Sequence, residues 1–230
     1  MKIKYKSAFT LAEVLITLVI IGIISAITVP VLANSMGELA YASSLRKNYS
    51  VFSQAFKLTS KFDSNDYENW TYSHSDDFTM EVYDNISRFL RISKICGKKY
   101  TDNECFLPAR AKNGSPAHFF TKEGFASNFA HLYTFVMNDG SSVAIDVWDK
   151  NSVQNYAGVS KNLIDENNNL IILVDVNGNR KPNTVGKDIH LFVLTHKGLM
   201  PAGADNGSVN CTNKSIDYNY DCTAKMLKSV

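Results

Sequence analysis

The run Asp175-Val176-Asn177-Gly178-Asn179-Arg180-Lys181-Pro182-Asn183-Thr184-Val185-Gly186-Lys187-Asp188 is crowded with hard oxygen donors. Asp175, Asn177, Asn179, Asn183 and Asp188 offer carboxylate and amide oxygens of the kind that Ca²⁺ takes in flexible geometry. The spacing is not that of an EF-hand, because Gly178 falls too early and no Glu closes the loop at Gly186. A metal-free turn between two strands explains the same composition, since Asn, Gly and Pro there serve backbone geometry and need no ion. Composition favours the turn, with calcium as the candidate cofactor.

Other chemistry finds little purchase. The sequence has no Gly-x-Ser-x-Gly elbow, no His-Glu-x-x-His and no phosphate loop, and His74, His118, His131, His190 and His196 form no recognised constellation. His190 and His196 are expected on one strand face as ordinary sheet residues. No enzyme is expected. Cys96, Cys105, Cys211 and Cys222 allow three pairings that sequence cannot separate, with local closure of Cys96–Cys105 and Cys211–Cys222 expected. No spacing suits zinc, so structural disulfides of an exported domain are the expectation.

The 230 residues are 45% hydrophobic and 20% charged, a balance that excludes wholesale disorder and allows one ordinary domain with an appendage. A formal charge of +2 argues against a broad phosphate-neutralising surface, and no nucleic-acid partner is evident. Lys2, Lys4 and Lys6 carry the basic excess, and no acid precedes Glu13. From Val14 to Leu32 the chain has no charged residue, and as a helix this run is long enough to cross a bilayer. Positive charge before the run places the N-terminus in the cytoplasm and the rest outside. An ordinary signal peptide cut after Val31-Leu32-Ala33 would share these features. Glu13 at the head of the apolar run, and Gly22 and Pro30 within it, are unneeded in a disposable signal.

The residues Lys6-Ser7-Ala8-Phe9-Thr10-Leu11-Ala12-Glu13-Val14 resemble the cleavage and methylation site of type IV prepilins and type II secretion pseudopilins. The resemblance implies cleavage between Ala8 and Phe9 by a prepilin peptidase and N-methylation of Phe9. Ala8 stands where Gly is usual. It also implies that Glu13 neutralises the N-terminal amine of an adjacent subunit, with Gly22 and Pro30 at the family's spacing in the assembling helix. The implied partners are copies of itself or related pilins, an inner-membrane assembly platform and membrane lipid. The implied location is the bacterial inner membrane as a single-pass precursor, then a pilus or pseudopilus. The run Val174 to Asp188 also resembles a late loop of prepilin-type proteins, and some relatives in the secretion branch bind calcium in such loops. The alternative is an exported binding module or enzyme that uses the segment as a plain signal or anchor.

The expected organisation is a leader over residues 1–8, a long helix over 9–62 that spans the membrane at about 14–32, and an extracytoplasmic globular domain over 63–230. Leu32, Met36, Leu39, Leu45, Tyr49, Phe52 and Phe56 fit a helical period and are expected to be core, opposite Glu38, Arg46, Lys47 and Lys57. Residues 63–75 read as a loop and 85–95 as a short helix capped by Asp84 or Asn85. Strands are expected at 132–137, 143–147, 170–176 and 189–195, the first two joined by a hairpin at Asn138-Asp139-Gly140-Ser141. The fold class is α+β and pilin-like, a long helix laid on an antiparallel sheet.

Overall fold

The computed structural model describes residues 9–62, 73, 75–97, 105–117, 131–166, 168–204, 211 and 222–228. Helix α1 runs from Leu11 to Phe62, and α2 from Asp76 to Ser87. Six strands follow: β1 Ile92–Gly97, β2 Tyr133–Met137, β3 Ser142–Asp149, β4 Asn168–Asp175, β5 Ile189–Thr195 and β6 Gly198–Pro201. Helix α3, Cys222–Lys228, comes last. The sheet order is β1-β2-β3-β4-β5-β6, every neighbour antiparallel. The architecture is therefore α+β, a long N-terminal helix with an antiparallel six-stranded sheet domain, in the pilin-like layout.

The chain divides into two compact units, Met1–Ala40 and Tyr41–Val230. Helix α1, which begins in the first and continues into the second, is long and apolar enough to cross a membrane, with a mean hydropathy of 2.7 over 18 residues, none of them buried. Pro30 lies inside this helix and removes the backbone donor that would otherwise reach Ala26.

In the second unit the sheet is buried on both faces, which explains why β4 and β5 read as nearly unbroken apolar runs. Val143, Ile145, Leu170, Ile172, Val174 and Phe192 form one core with Leu45, Phe52 and Phe56 of α1 and Val82 and Ile86 of α2. Ala144, Ile171, Leu173, Leu191 and Val193 face the other way and meet Phe106, Ala109, Val153, Val159 and Leu163 from the connecting segments. Each fully buried Leu, Ile or Phe contributes roughly 1.5–3 kcal/mol of transfer free energy.

Three expectations need correction. The apolar stripe of α1 is core only from Leu45 onward, since Leu32, Met36 and Leu39 are 60%, 69% and 52% exposed. Periodicity reports which side of a helix is apolar, not how far a sheet extends along it. Its polar side is also engaged: the Arg46 guanidinium donates to the Leu227 carbonyl at 3.0 Å, and Lys47 pairs with Asp139 at 2.9 Å.

The short helix lies at Asp76–Ser87, not 85–95. Ser75 caps it, its hydroxyl accepting from the Phe78 amide at 3.3 Å, and Phe78, Val82 and Ile86 supply its inner face. Its dense acids disguise it as a loop continuing 63–75, most of which falls outside the described residues. Ile92–Gly97 is instead an edge strand, because pairing with β2 overrides its weak local preference. A sixth strand, β6, is too short to show in the sequence and forms by returning from Lys197 and Gly198 onto β5. The four expected strands are present, and the turn at Asn138–Ser141 joins β2 to β3.

Candidate functional site

At the start of α1 the Glu13 carboxylate accepts from the Thr10 amide and hydroxyl, both at 2.8 Å, while the Glu13 amide donates to the Thr10 hydroxyl at 3.3 Å. This reciprocal arrangement is a capping box, which satisfies amides that a helix N-terminus leaves without intrahelical partners. Thr10 thus has a role that the apolar run conceals, although the spacing Thr-x-x-Glu is a signal for it. Phe9 is 87% exposed directly before the helix, and Ala8 lies outside the described residues. A side chain at Gly22 would meet nothing within 4 Å.

The second site is the β4–β5 connection. Asp175 ends β4 and Asp188 directly precedes β5; they are 1% and 0% exposed. Asp188 accepts from the amides of Asn183 at 2.8 Å and Thr184 at 2.6 Å, and Asp175 from the Asn177 amide at 3.2 Å. Neither carboxylate has an ion-pair partner among the described residues. Burial, with the neighbouring Asp188 charge, pushes Asp175 up to about 8, and burial also raises Asp188 against its amide hydrogen bonds.

Asn177 sits between them. Its backbone serves Asp175, its side chain hydrogen-bonds Asp188, and its Nδ2 donates to the Lys181 carbonyl at 3.2 Å. The Oδ1 atoms of Asn177 and Asn183 are buried without a hydrogen-bond partner among the described residues. Asn183 is held at φ 49°, a left-handed conformation. Asn179 is exposed and differs from the other four donors in that respect. No group of three His, Cys, Asp or Glu suited to a metal occurs among the described residues. A cation here would be held by two carboxylates and neutral oxygens, a donor set of calcium type.

Surrounding elements fix this loop. Gly178 has φ 62°, and a Cβ there would come within 2.2 Å of the Gly140 carbonyl oxygen in the β2–β3 hairpin. The hairpin is tied to α1 through Ser141 and Asn48 at 3.2 Å, and the loop through Ser44 and the Val176 carbonyl at 3.1 Å. These contacts between remote residues have no sequence signature.

Other buried titratable groups lie elsewhere in the sheet domain. The Asp146 carboxylate accepts from the Val147 amide at 2.8 Å and Trp148 Nε1 at 2.9 Å, and burial pushes it to about 7. His190 is buried and depressed to about 4, facing the Lys187 carbonyl at 3.2 Å and Thr223 at 3.4 Å, so it is neutral at pH 7. His196 lies beyond β5 and is exposed, separate from His190. His131 is partly exposed, while His74 and His118 fall outside the described residues. Cys96 is bonded to Cys105 and Cys211 to Cys222.

Fold and site together make a pilin-like layout: an apolar N-terminal helix headed by one acid, and a disulfide-bearing antiparallel sheet domain. Residues 3–29 match the prokaryotic N-terminal methylation motif, the prepilin-type cleavage and methylation signal of type IV pilins and pseudopilins. No curated protein and no solved structure matches the chain.

Proposed function

We propose that this chain is a structural subunit of a type IV pilus or type II secretion pseudopilus. The reading rests on the methylation motif placed directly at the head of a helix whose next 19 residues, 14–32, carry no charge. Prepilin peptidase cuts between Ala8 and Phe9 and methylates the new amine. The precursor sits once in the bacterial inner membrane with its sheet domain extracytoplasmic, and an assembly platform delivers it to the filament. In the isolated chain Thr10 occupies Glu13; in the filament the same carboxylate meets the Phe9 amine of a neighbour. Pairing then removes two desolvation penalties at once, so subunits add in register. Gly22 and Pro30 serve helix-to-helix packing. N-terminal mass spectrometry of the mature protein tests this: N-methyl-Phe9 is expected, and a terminus at Asn34 would instead identify a plain exported module.

A second property is favoured by the orphaned amide oxygens of Asn177 and Asn183 beside two buried carboxylates. Asp175, Asp188, Asn177 and Asn183 hold Ca²⁺ and brace the β4–β5 connection; Asn179, being exposed, contributes at most from the rim. Calcium-dependent melting of the chain is the corresponding test.

A further inference from the structure

Within the sheet domain, α1 and the β5–β6 turn enclose a cleft of about 480 Å³ whose lining includes Tyr49, Ser50, Ser53, Lys57, Lys197 and Leu199. Its floor is fixed: Tyr49 stacks on Phe192 with ring centres 5.6 Å apart and donates its hydroxyl to the Leu199 carbonyl at 3.2 Å. The Ser53 hydroxyl is buried and has no hydrogen-bond partner among the described residues. At the rim Lys57 and Lys197 are exposed, and neither forms an ion pair among the described residues. Two ammonium groups without an ion pair among the described residues, lining one cleft, make a receptor for carboxylates.

The complementary surface is on the same chain. Helix α2 has Asp76, Asp77, Glu81 and Asp84 and no basic residue in its 12, and Asp77, Glu81 and Asp84 are exposed. Thr59 meets the Asn85 carbonyl at 3.4 Å, which places α2 on the Thr59 side of α1. At about 100° per residue, Lys57 points roughly 160° away from Thr59. The acidic helix and the lysine cleft therefore lie on opposite sides of α1 and do not meet within one molecule.

We propose that the lysine cleft receives the acidic face of α2 from a second copy of this chain, Glu81 and Asp84 pairing with Lys57 and Lys197. Because the two patches differ and face apart, the contact is head-to-tail, so it passes from copy to copy, as a filament requires, instead of closing a two-fold dimer. Charge complementarity of this kind also selects register and rejects like-charged neighbours. The inference rests on the filament reading and adds a specific contact between globular domains to the packing of the N-terminal helices.

The test is a charge exchange in the full-length chain, expressed in the bacterium that assembles it. Lys57→Glu with Lys197→Glu, or Glu81→Lys with Asp84→Lys, is expected to abolish filaments while leaving the amount of processed subunit in the membrane unchanged. All four substitutions together are expected to restore assembly. In wild-type filaments built from two isotopically distinct pools, carbodiimide is expected to join Lys57 or Lys197 of one copy to Glu81 or Asp84 of another. Normal filaments from either one-sided variant would overturn the proposal, as would a four-residue exchange no better than its halves, or carbodiimide products that link the lysines to another protein. A wild-type chain that is processed yet builds no filament would overturn the filament reading and this inference with it.

Discussion

Calcium should reshape the pH dependence of stability in the sheet domain. Burial and the charge of Asp188 hold Asp175 at about 8, against 3.8 for an ordinary carboxyl. Between those values the folded chain binds more protons than the unfolded one, so stability falls as pH rises from about 4 to about 8 and levels off above. At about 1.4 kcal/mol per unit, ionising Asp175 in the metal-free fold costs on the order of 6 kcal/mol. A divalent cation binds the ionised pair. At pH 7 its binding should therefore release protons, and its apparent affinity should rise with pH up to about 8. Calcium at about 100 times its dissociation constant should add about 2.7 kcal/mol, or roughly 5–10 °C in melting temperature for a domain of this size. Asp175→Asn retains an acceptor for the Asn177 amide but deletes the charge. That variant should be more stable than wild type above pH 8 without metal, and should show no calcium response. The assay is thermal unfolding of the full-length chain in detergent micelles from pH 6 to 9, in calcium and in chelator, with calorimetry in buffers of different ionisation enthalpy to count protons. Indistinguishable melting of wild type at millimolar calcium and in chelator across that range would refute the reasoning and leave the loop as a turn.

Ala8→Gly should preserve or improve processing and Ala8→Leu should block it, read as the shift from precursor to mature mass; equal processing of both would point to a different peptidase. Glu13→Val should insert and be cleaved yet give few filaments. Glu13→Gln, which still caps Thr10, should assemble as poorly, whereas normal filament yield from Gln would reduce Glu13 to its capping role. Gly178→Ala should destabilise the sheet domain by about 2 kcal/mol or more, measured by denaturant unfolding, because its Cβ would collide with the Gly140 carbonyl and its backbone is left-handed.

Much of this protein is legible in the order of its residues. A charge-free run of 19 residues headed by Glu13, and the methylation motif around Phe9, declare a membrane-competent helix, because hydrophobic length and a short motif are local properties. The strands β2 to β5 declare themselves through dense β-branched and aromatic residues, and the Asn138–Ser141 hairpin through its turn chemistry. Thr10 and Glu13 are three apart, so their mutual bonding follows from spacing alone.

Only the tertiary structure decides how far the stripe of α1 is covered, because the endpoint at Leu45 depends on where a sheet built from residues up to 150 positions away happens to end. The same holds for β1, whose residues adopt a strand because β2 offers an edge, and for α2, whose polar composition hides a helix until Val82 and Ile86 find the sheet. The oxygen donors of the β4–β5 run are plain in the sequence. That Asp175 and Asp188 are both buried and, among the described residues, without an ion pair, while Asn177 and Asn183 each leave an oxygen unsatisfied there, is not. Desolvation and hydrogen-bond satisfaction depend on what packs around a group, and that is set by Gly140, Ser44 and Asn48, which lie far from the loop in sequence.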